Sequence, residues 1–187
     1  MDDQRKVVLV TSLGKKYIGN VDIPKSSLRT TDLFNSNSVY WKDPSDKCFE
    51  NAIQLYDAQL VIDDSPVRVQ SDKIQVRLSE IVYFYDDQQI LTDDKEKMRA
   101  STMVQKTREH VQTVNIITTR VANSFYNLTG SFFGLFKKKS NDRFIPLTEV
   151  KILEIYTKEG KWFQREISLP YKFICVSTSH IEAVRLR

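Results

Sequence analysis

The fold is decided by Ile74-Gln75-Val76-Arg77-Leu78-Ser79-Glu80-Ile81 and its later counterpart Ile174-Cys175-Val176-Ser177-Thr178-Ser179-His180-Ile181. Each segment begins with the apolar/polar alternation of a half-buried strand, and each reaches a final isoleucine after a short polar stretch. The two segments share Ile, Val, Ser and Ile at matched positions. This match predicts that the second part of the chain repeats the first.

Two further blocks match in the same order. Val8-Leu9-Val10-Thr11-Ser12 corresponds to Asn115-Ile116-Ile117-Thr118-Thr119, and Ile53-Gln54-Leu55-Tyr56-Asp57-Ala58 corresponds to Ile145-Pro146-Leu147-Thr148-Glu149-Val150. Three ordered matches favour an internal duplication. The alternative is two unrelated β segments that obey the same patterning constraint.

The long strand pattern over residues 52–62 changes phase after Asp57, which predicts a bulge or a sharp bend of the kind that turns corners in small barrels. Residues 93–111 lack Gly and Pro, begin with acids and place apolar side chains at helical spacing, so they predict a helix. We therefore expect a mainly β protein with two tandem small, bent antiparallel barrels joined by an α-helix. The predicted units are a first barrel over 1–92, a linking helix over 93–111 and a second barrel over 112–187.

Several of these runs resemble a known pattern. Tyr17–Val21, Leu28–Asn35 and Ile53–Ala58 are similar to the Sm-like small-barrel pattern of uncharacterised bacterial proteins, as are Arg143–Val150 and Val176–Ile181 in the second unit. The resemblance implies an Sm-like or SH3-like barrel in each unit. It also implies assembly by strand pairing at open edges, or RNA binding, although the loop residues that mark the RNA chaperones of that superfamily are absent. A shared barrel does not transfer an activity.

The side chains available for catalysis are few. The 187 residues include two cysteines and two histidines, too few for a disulfide framework or a four-ligand zinc site. His180 follows three hydroxyl residues, but no acidic residue stands at a recognisable spacing and Glu80 occupies the matched position, so we expect a strand-end residue and not a catalytic base. Cys175, in an alternating strand, is interpreted as structural. We expect a non-enzymatic protein without cofactor or metal.

Charge is distributed unevenly. Residues 1–92 hold 11 basic against 14 acidic residues, a net charge of −3, and residues 93–187 hold 17 against 10, a net charge of +7. This asymmetry indicates either an anionic partner for the basic half or pairing between the halves. The sharpest candidate site for an anion or a nucleic acid is basic and follows Phe132–Phe136: Lys137, Lys138, Lys139 and Arg143. Its alternatives are an exposed hairpin turn over core phenylalanines, because this segment matches the Tyr17–Pro24 region, or a membrane or protein contact.

The N-terminus carries acids where a secretory signal would be basic, and no apolar run is long enough to span a membrane, so a cytoplasmic location is expected. The predicted function is a binding or assembly module. Its partner would be an unknown protein or a second copy, joined through edge strands. The alternative function is RNA or DNA binding by the basic turn of the second unit.

Overall fold

The computed structural model describes residues 3–25, 28–36, 45, 47–62, 68–86, 111–133, 142–170 and 173–186. Strands hold 72% of these residues, and the one α-helix among them has six, so the mainly β prediction is confirmed. None of the helices in this part of the chain has the length and apolar character needed to cross a membrane.

Eleven strands and one short helix follow one another along the described chain. Their bounds are β1 Asp3–Thr11, β2 Lys15–Ile23, α1 Thr30–Asn35, β3 Ala52–Ile62, β4 Arg68–Arg77, β5 Ile81–Asp86, β6 Val111–Thr118, β7 Ser124–Phe133, β8 Phe144–Lys158, β9 Lys161–Ile167, β10 Phe173–Ser177 and β11 Ile181–Leu186. A 3-10 turn precedes β5 at Leu78–Glu80, and another precedes β11 at Thr178–His180.

All eleven strands belong to one antiparallel sheet. Its order is β11-β6-β7-β8-β10-β5-β1-β2-β3-β4, and β9 pairs with β8 off this path. Strand pairing among the described residues leaves the sheet open, so the closure of each unit into a barrel that the sequence predicts is not found. The predicted linking helix lies outside the described residues except for Val111, which begins β6.

Two apolar clusters divide the interior. We call β1–β5 with α1 the first strand group and β6–β11 the second strand group. The first cluster is built mainly from the first group and contains Val7, Leu9, Val21, Ile23, Leu33, Phe34, Ile53, Leu55, Ala58, Val76, Leu78, Ile81, Phe84, Phe144 and Cys175. The second is built mainly from the second group and contains Val10, Val82, Tyr83, Val114, Ile116, Val121, Tyr126, Leu128, Phe132, Ile145, Leu147, Val150, Ile152, Ile174 and Val176. Each cluster thus includes side chains from the other group.

The same backbone irregularities occur in both strand groups. Asp57 in β3 and Glu149 in β8 have φ of 47° and 50°, left-handed values that side chains other than glycine adopt rarely. Both mark a register shift against the preceding strand, which confirms the predicted bulge near Asp57. A second register shift occurs in each group. Val82 of β5 has no partner residue in the pairing with β1, and Glu182 of β11 has none in the pairing with β6.

Close backbone approach requires glycine at both long-strand bulges. A Cβ on Gly19 would lie 3.0 Å from the Leu55 Cβ, and a Cβ on Gly130 would lie 3.3 Å from the Leu147 Cβ. Since Leu55 and Leu147 are matched positions, Gly130 of β7 takes the place of Gly19 in β2. The expected match of Phe132–Arg143 with the Tyr17–Pro24 region is therefore shifted: Phe132 takes the place of Val21.

The 3-10 turns are equivalent as well. The Ser12 N–H donates to the last carbonyl of the turn Leu78–Glu80, and the Thr119 N–H donates to the last carbonyl of the turn Thr178–His180, each at 2.8 Å. Each turn therefore fixes the start of the strand that follows it, β5 or β11, against the end of the first strand of its group.

Candidate interaction site: the strand junction and the sheet edges

One short strand pair joins the two strand groups. β10 of the second group pairs antiparallel with β5 of the first, with Cys175 opposite Phe84 and Val176 opposite Tyr83. These two strands lie between both apolar clusters, because Phe84 and Cys175 face the first cluster while Tyr83 and Val176 face the second. We call this pair the junction. It is buried on both faces of the sheet, which makes it part of the core.

Three phenylalanine rings pack together beside the junction. The Phe34 centroid lies 4.3 Å from that of Phe84, and Phe144 contacts both rings edge-on at 5.9 and 5.2 Å. The three rings come from α1, β5 and β8, and all are buried. Because Phe144 belongs to the second group but packs in the first cluster, it ties the stability of one group to the other.

The end of α1 is bonded to the start of β8. The Asn35 side chain donates to the Phe144 carbonyl at 2.9 Å and accepts from the Phe144 N–H at 2.7 Å, so that its amide pairs with the β8 backbone as a neighbouring strand would. The Arg143 guanidinium donates to the Phe34 carbonyl at 3.2 Å. A serine at position 27 and the helical spacing of Leu28, Asp32 and Leu33 predict a short helix that ends at Asn35. They do not predict this role of Asn35, since the partner backbone is 109 residues away.

A polar contact accompanies the buried cysteine of the junction. The Cys175 Sγ lies 2.9 Å from the Thr31 Oγ1, and the neighbouring Thr30 hydroxyl donates to the buried Asp86 carboxylate. Burial raises the pKa of the Cys175 thiol, so the group is neutral in the folded protein. The other cysteine, Cys48, is exposed, and both are free thiols.

His180 connects the two strand groups through a 3-10 turn. Its Nε2 lies 2.8 Å from the Ser79 carbonyl, and its Nδ1 lies 3.3 Å from the Thr119 hydroxyl. A carbonyl can only accept, so Nε2 carries a proton, and in the neutral ring Nδ1 then accepts from the hydroxyl. The nearby Ser177 is buried and bonds to Ser179 at 2.8 Å. In this geometry both ring nitrogens make structural contacts.

The basic candidate site is described only at its last residue. Lys137, Lys138 and Lys139 lie outside the described residues. Arg143 is half-buried, and its guanidinium contacts the end of α1 as given above. The described part of this predicted site therefore contacts α1 beside the junction.

The two ends of the sheet path are β4 and β11. Among the described residues, β4 pairs only with β3, and β11 pairs only with β6. Exposed apolar side chains lie on both strands, with Val69 on β4 and Val184 and Leu186 on β11. A third edge, β9, pairs with β8 and carries exposed Trp162 and Phe163. Trp162 contacts Phe125 of β7, and Phe163 contacts Tyr156 of β8.

Two matched runs of the sequence differ in a way that distinguishes the junction strand β5 from the edge strand β11. The run Ile81-Val82-Tyr83-Phe84-Tyr85 is continuously apolar, whereas its matched run Ile181-Glu182-Ala183-Val184-Arg185 is interrupted by the charged residues Glu182 and Arg185. Continuous apolar runs indicate strands that are covered on both faces, and charged residues within a run indicate a face in contact with water. The contrast therefore distinguishes the buried strand β5 from the edge strand β11.

Comparison of the chain with protein-family models, with curated proteins and with solved structures finds no match.

Proposed function

We propose that the chain is a cytoplasmic, non-enzymatic assembly module that acts by strand pairing at its open edges, β4 and β11. In this proposal the two strand groups are tandem Sm-like or SH3-like small-barrel units that arose by internal duplication. The observation that carries the proposal is the junction, where an edge of one group already pairs with an edge of the other.

Shared irregularities support the duplication. Positive φ at Asp57 and Glu149, close approach at Gly19 and Gly130, and a 3-10 turn before the last strand occur at matched places. Hydrophobic patterning alone produces alternating strands, but it does not fix where a bulge or a turn falls. Coincidence of all these features is therefore better explained by a common ancestor of the two groups than by patterning.

The contents of the junction support a role in association. An edge strand offers unpaired backbone N–H and C=O groups that another strand can satisfy. In β10 and β5 these groups satisfy each other, and the pairing is covered by apolar side chains from both groups. The edges of this sheet are thus suited to pairing with strands outside their own group.

Two observations support the non-enzymatic and cytoplasmic parts of the proposal. His180, which follows three hydroxyl residues in the sequence, uses both ring nitrogens in contacts with Ser79 and Thr119. Cys48 and Cys175 are both free thiols, as is usual for proteins of a reducing compartment.

Size-exclusion chromatography with light scattering tests the proposal. The measured mass should rise above the 21.8 kDa of the monomer as the protein is concentrated over about a hundredfold range. Val184→Lys places a charge on an exposed side chain of the β11 edge and should return the mass to the monomer. Gln164→Lys, at an exposed position of β9, is the matched control and should leave assembly unchanged. A monomer at every concentration would contradict assembly through the edges.

A further inference from the structure

We infer that the partner is a second copy of this chain, bound head to tail, with β4 of one copy antiparallel to β11 of the next. The register places Gln75 opposite Val184 and Val76 opposite Ala183. This inference rests on the proposed function and names the partner and the register that the proposal leaves open.

The register follows from the junction. Cys175 and Val176 of β10 match Gln75 and Val76 of β4, because the segments beginning at Ile74 and Ile174 align without a gap. In the same alignment Phe84 and Tyr83 of β5 match Val184 and Ala183 of β11, and both strands follow equivalent 3-10 turns. The observed pairs are Cys175 with Phe84 and Val176 with Tyr83.

Replacing each junction residue by its match gives the proposed intermolecular pairs. The interface is therefore formed once inside the molecule, between β10 and β5. The matching edges of β4 and β11 lie at opposite ends of the sheet order and, among the described residues, do not pair with each other, so they are available to other copies. β4 matches the strand that the second group contributes to the junction, and β11 matches the strand that the first group contributes. An interface whose two halves lie on different surfaces of one chain is heterologous, so repeated pairing produces a ring or an open filament.

The exposure of matched residues in β5 and β11 agrees with an interface that is formed at β5 and still open at β11. Phe84 is 1% exposed in the junction, whereas its match Val184 is 39% exposed, and Leu186 on the same strand is 49% exposed. Large apolar side chains on an edge strand lose contact with water when a second strand and its own apolar cluster cover them. The proposed pairing gives Val184 a neighbour on the β4 strand, as Phe84 has a neighbour on β10, although this neighbour is the polar Gln75 and not a buried cysteine.

Charge favours the same arrangement. One step beyond the two pairs, the register brings Arg77 of one copy beside Glu182 of the next, and both side chains are exposed in the single chain. Opposite charges across neighbouring strands stabilise the pair. Head-to-tail contact also joins the half with net charge −3 to the half with net charge +7, which attracts copies and makes assembly weaken as salt is added.

The edges β4 and β11 are more polar than the junction, and we therefore expect weaker association between copies than within the chain. Gln75 and Arg77 occupy the places of Cys175 and Ser177, which are buried, and Glu182 occupies the place of buried Val82. One face of the intermolecular pair is therefore wet. Association at this interface should be reversible and dependent on concentration, unlike the permanent pairing inside the chain.

Disulfide cross-linking tests the register. Directly opposed residues of antiparallel strands have Cα atoms about 4.5 to 5.5 Å apart, within reach of a disulfide. In a Cys48→Ser background, Gln75→Cys protein mixed with Val184→Cys protein should yield a disulfide-linked dimer on mild oxidation. The background substitution is needed because the Cys48 backbone N–H lies 2.9 Å from the Gln75 Oε1, so that Cys48 could compete for the new thiol.

A shifted pair is the control for the cross-link. Gln75→Cys mixed with Leu186→Cys places the thiols two residues out of register, at about 7 to 8 Å between Cα atoms, and should cross-link far less. A rise in mass with concentration together with preferential linking of the shifted pair, or with no linking of either pair, would overturn the register while leaving assembly through the edges in place. A strict monomer would instead contradict the proposed function itself.

A charge exchange gives a second measurement that needs no oxidation. Arg77→Glu and Glu182→Arg should each weaken self-association by about tenfold, since each puts like charges side by side. The double variant should recover most of that loss because the pair is restored in reverse. Equal losses in the single and double variants would contradict the pairing of Arg77 with Glu182.

Discussion

Removal of the Phe144 ring tests whether the two strand groups unfold as one cooperative unit. Phe144 is fully buried and packs in the first cluster, although its strand belongs to the second group. Phe144→Ala removes the ring that packs edge-on against both Phe34 and Phe84. Such truncations cost about 3 to 5 kcal/mol, and two edge-on ring contacts place this site at the upper end of that range. Because small domains are stable by only about 5 to 15 kcal/mol, this is a large share of the total.

Equilibrium unfolding in guanidinium, followed by circular dichroism and by tryptophan fluorescence, measures the effect. Both signals should shift together to lower denaturant in Phe144→Ala, because the ring is shared by the two groups. Phe144→Leu keeps most of the volume and should lose about 1.5 kcal/mol, which protects the test if the alanine variant does not fold. Phe163→Ala removes a ring that is 44% exposed and should cost about 1 kcal/mol or less. A cost for Phe144→Ala no larger than that of Phe163→Ala would refute the shared core.

Three further substitutions test other parts of the structure. Asn35→Ala should lower the free energy of unfolding by about 2 to 4 kcal/mol, because it leaves the buried N–H and C=O of Phe144 without their partner. Asn35→Asp keeps only the acceptor and should lose less. Equal stability of the natural chain and both variants in urea would contradict the contact. Gly130→Ala should cost about 1 to 3 kcal/mol in thermal and chemical unfolding, since a Cβ would lie 3.1 Å from the Thr148 carbonyl oxygen and from the Val150 Cγ2. An unchanged unfolding midpoint would contradict this and show that β8 shifts to make room for the methyl group. Burial raises the pKa of Cys175, so its contribution to stability is complete below the ordinary thiol pKa of 9.0 and falls as the pH rises above it, by about 1.4 kcal/mol per pH unit. Unfolding midpoints at pH 8 and pH 10 should therefore fall more steeply for the natural chain than for Cys175→Ala, and parallel slopes would contradict this.

The sequence predicts the local structure well where one side chain pattern decides it. Alternation identifies the strands, and the phase change after Asp57 indicates the bulge that the structure has at that residue. The short helix ends at Asn35 as expected. These features depend on neighbours along the chain, so their causes are visible in a single segment.

The joining of the two groups could not be read in the same way. Separate closed units were expected because the bend in the long strand is of the kind that turns corners in small barrels, but β5 and β10 pair with each other and extend one sheet across both. This outcome depends on contacts between residues about 90 positions apart, such as Phe84 with Cys175. Only the contrast between the apolar run at Ile81–Tyr85 and its match, which Glu182 and Arg185 interrupt, indicates that β5 has a second partner.

Amide hydrogen exchange at several protein concentrations tests the central claim most directly. We predict that amides of β5 and β10 are protected at every concentration, because their pairing lies within one chain. Amides of β4 over residues 73–77 and of β11 over residues 182–186 should become protected together as concentration rises, and Val184→Lys should abolish that change. Exchange at both edges that stays constant while the measured mass increases would contradict assembly through these strands.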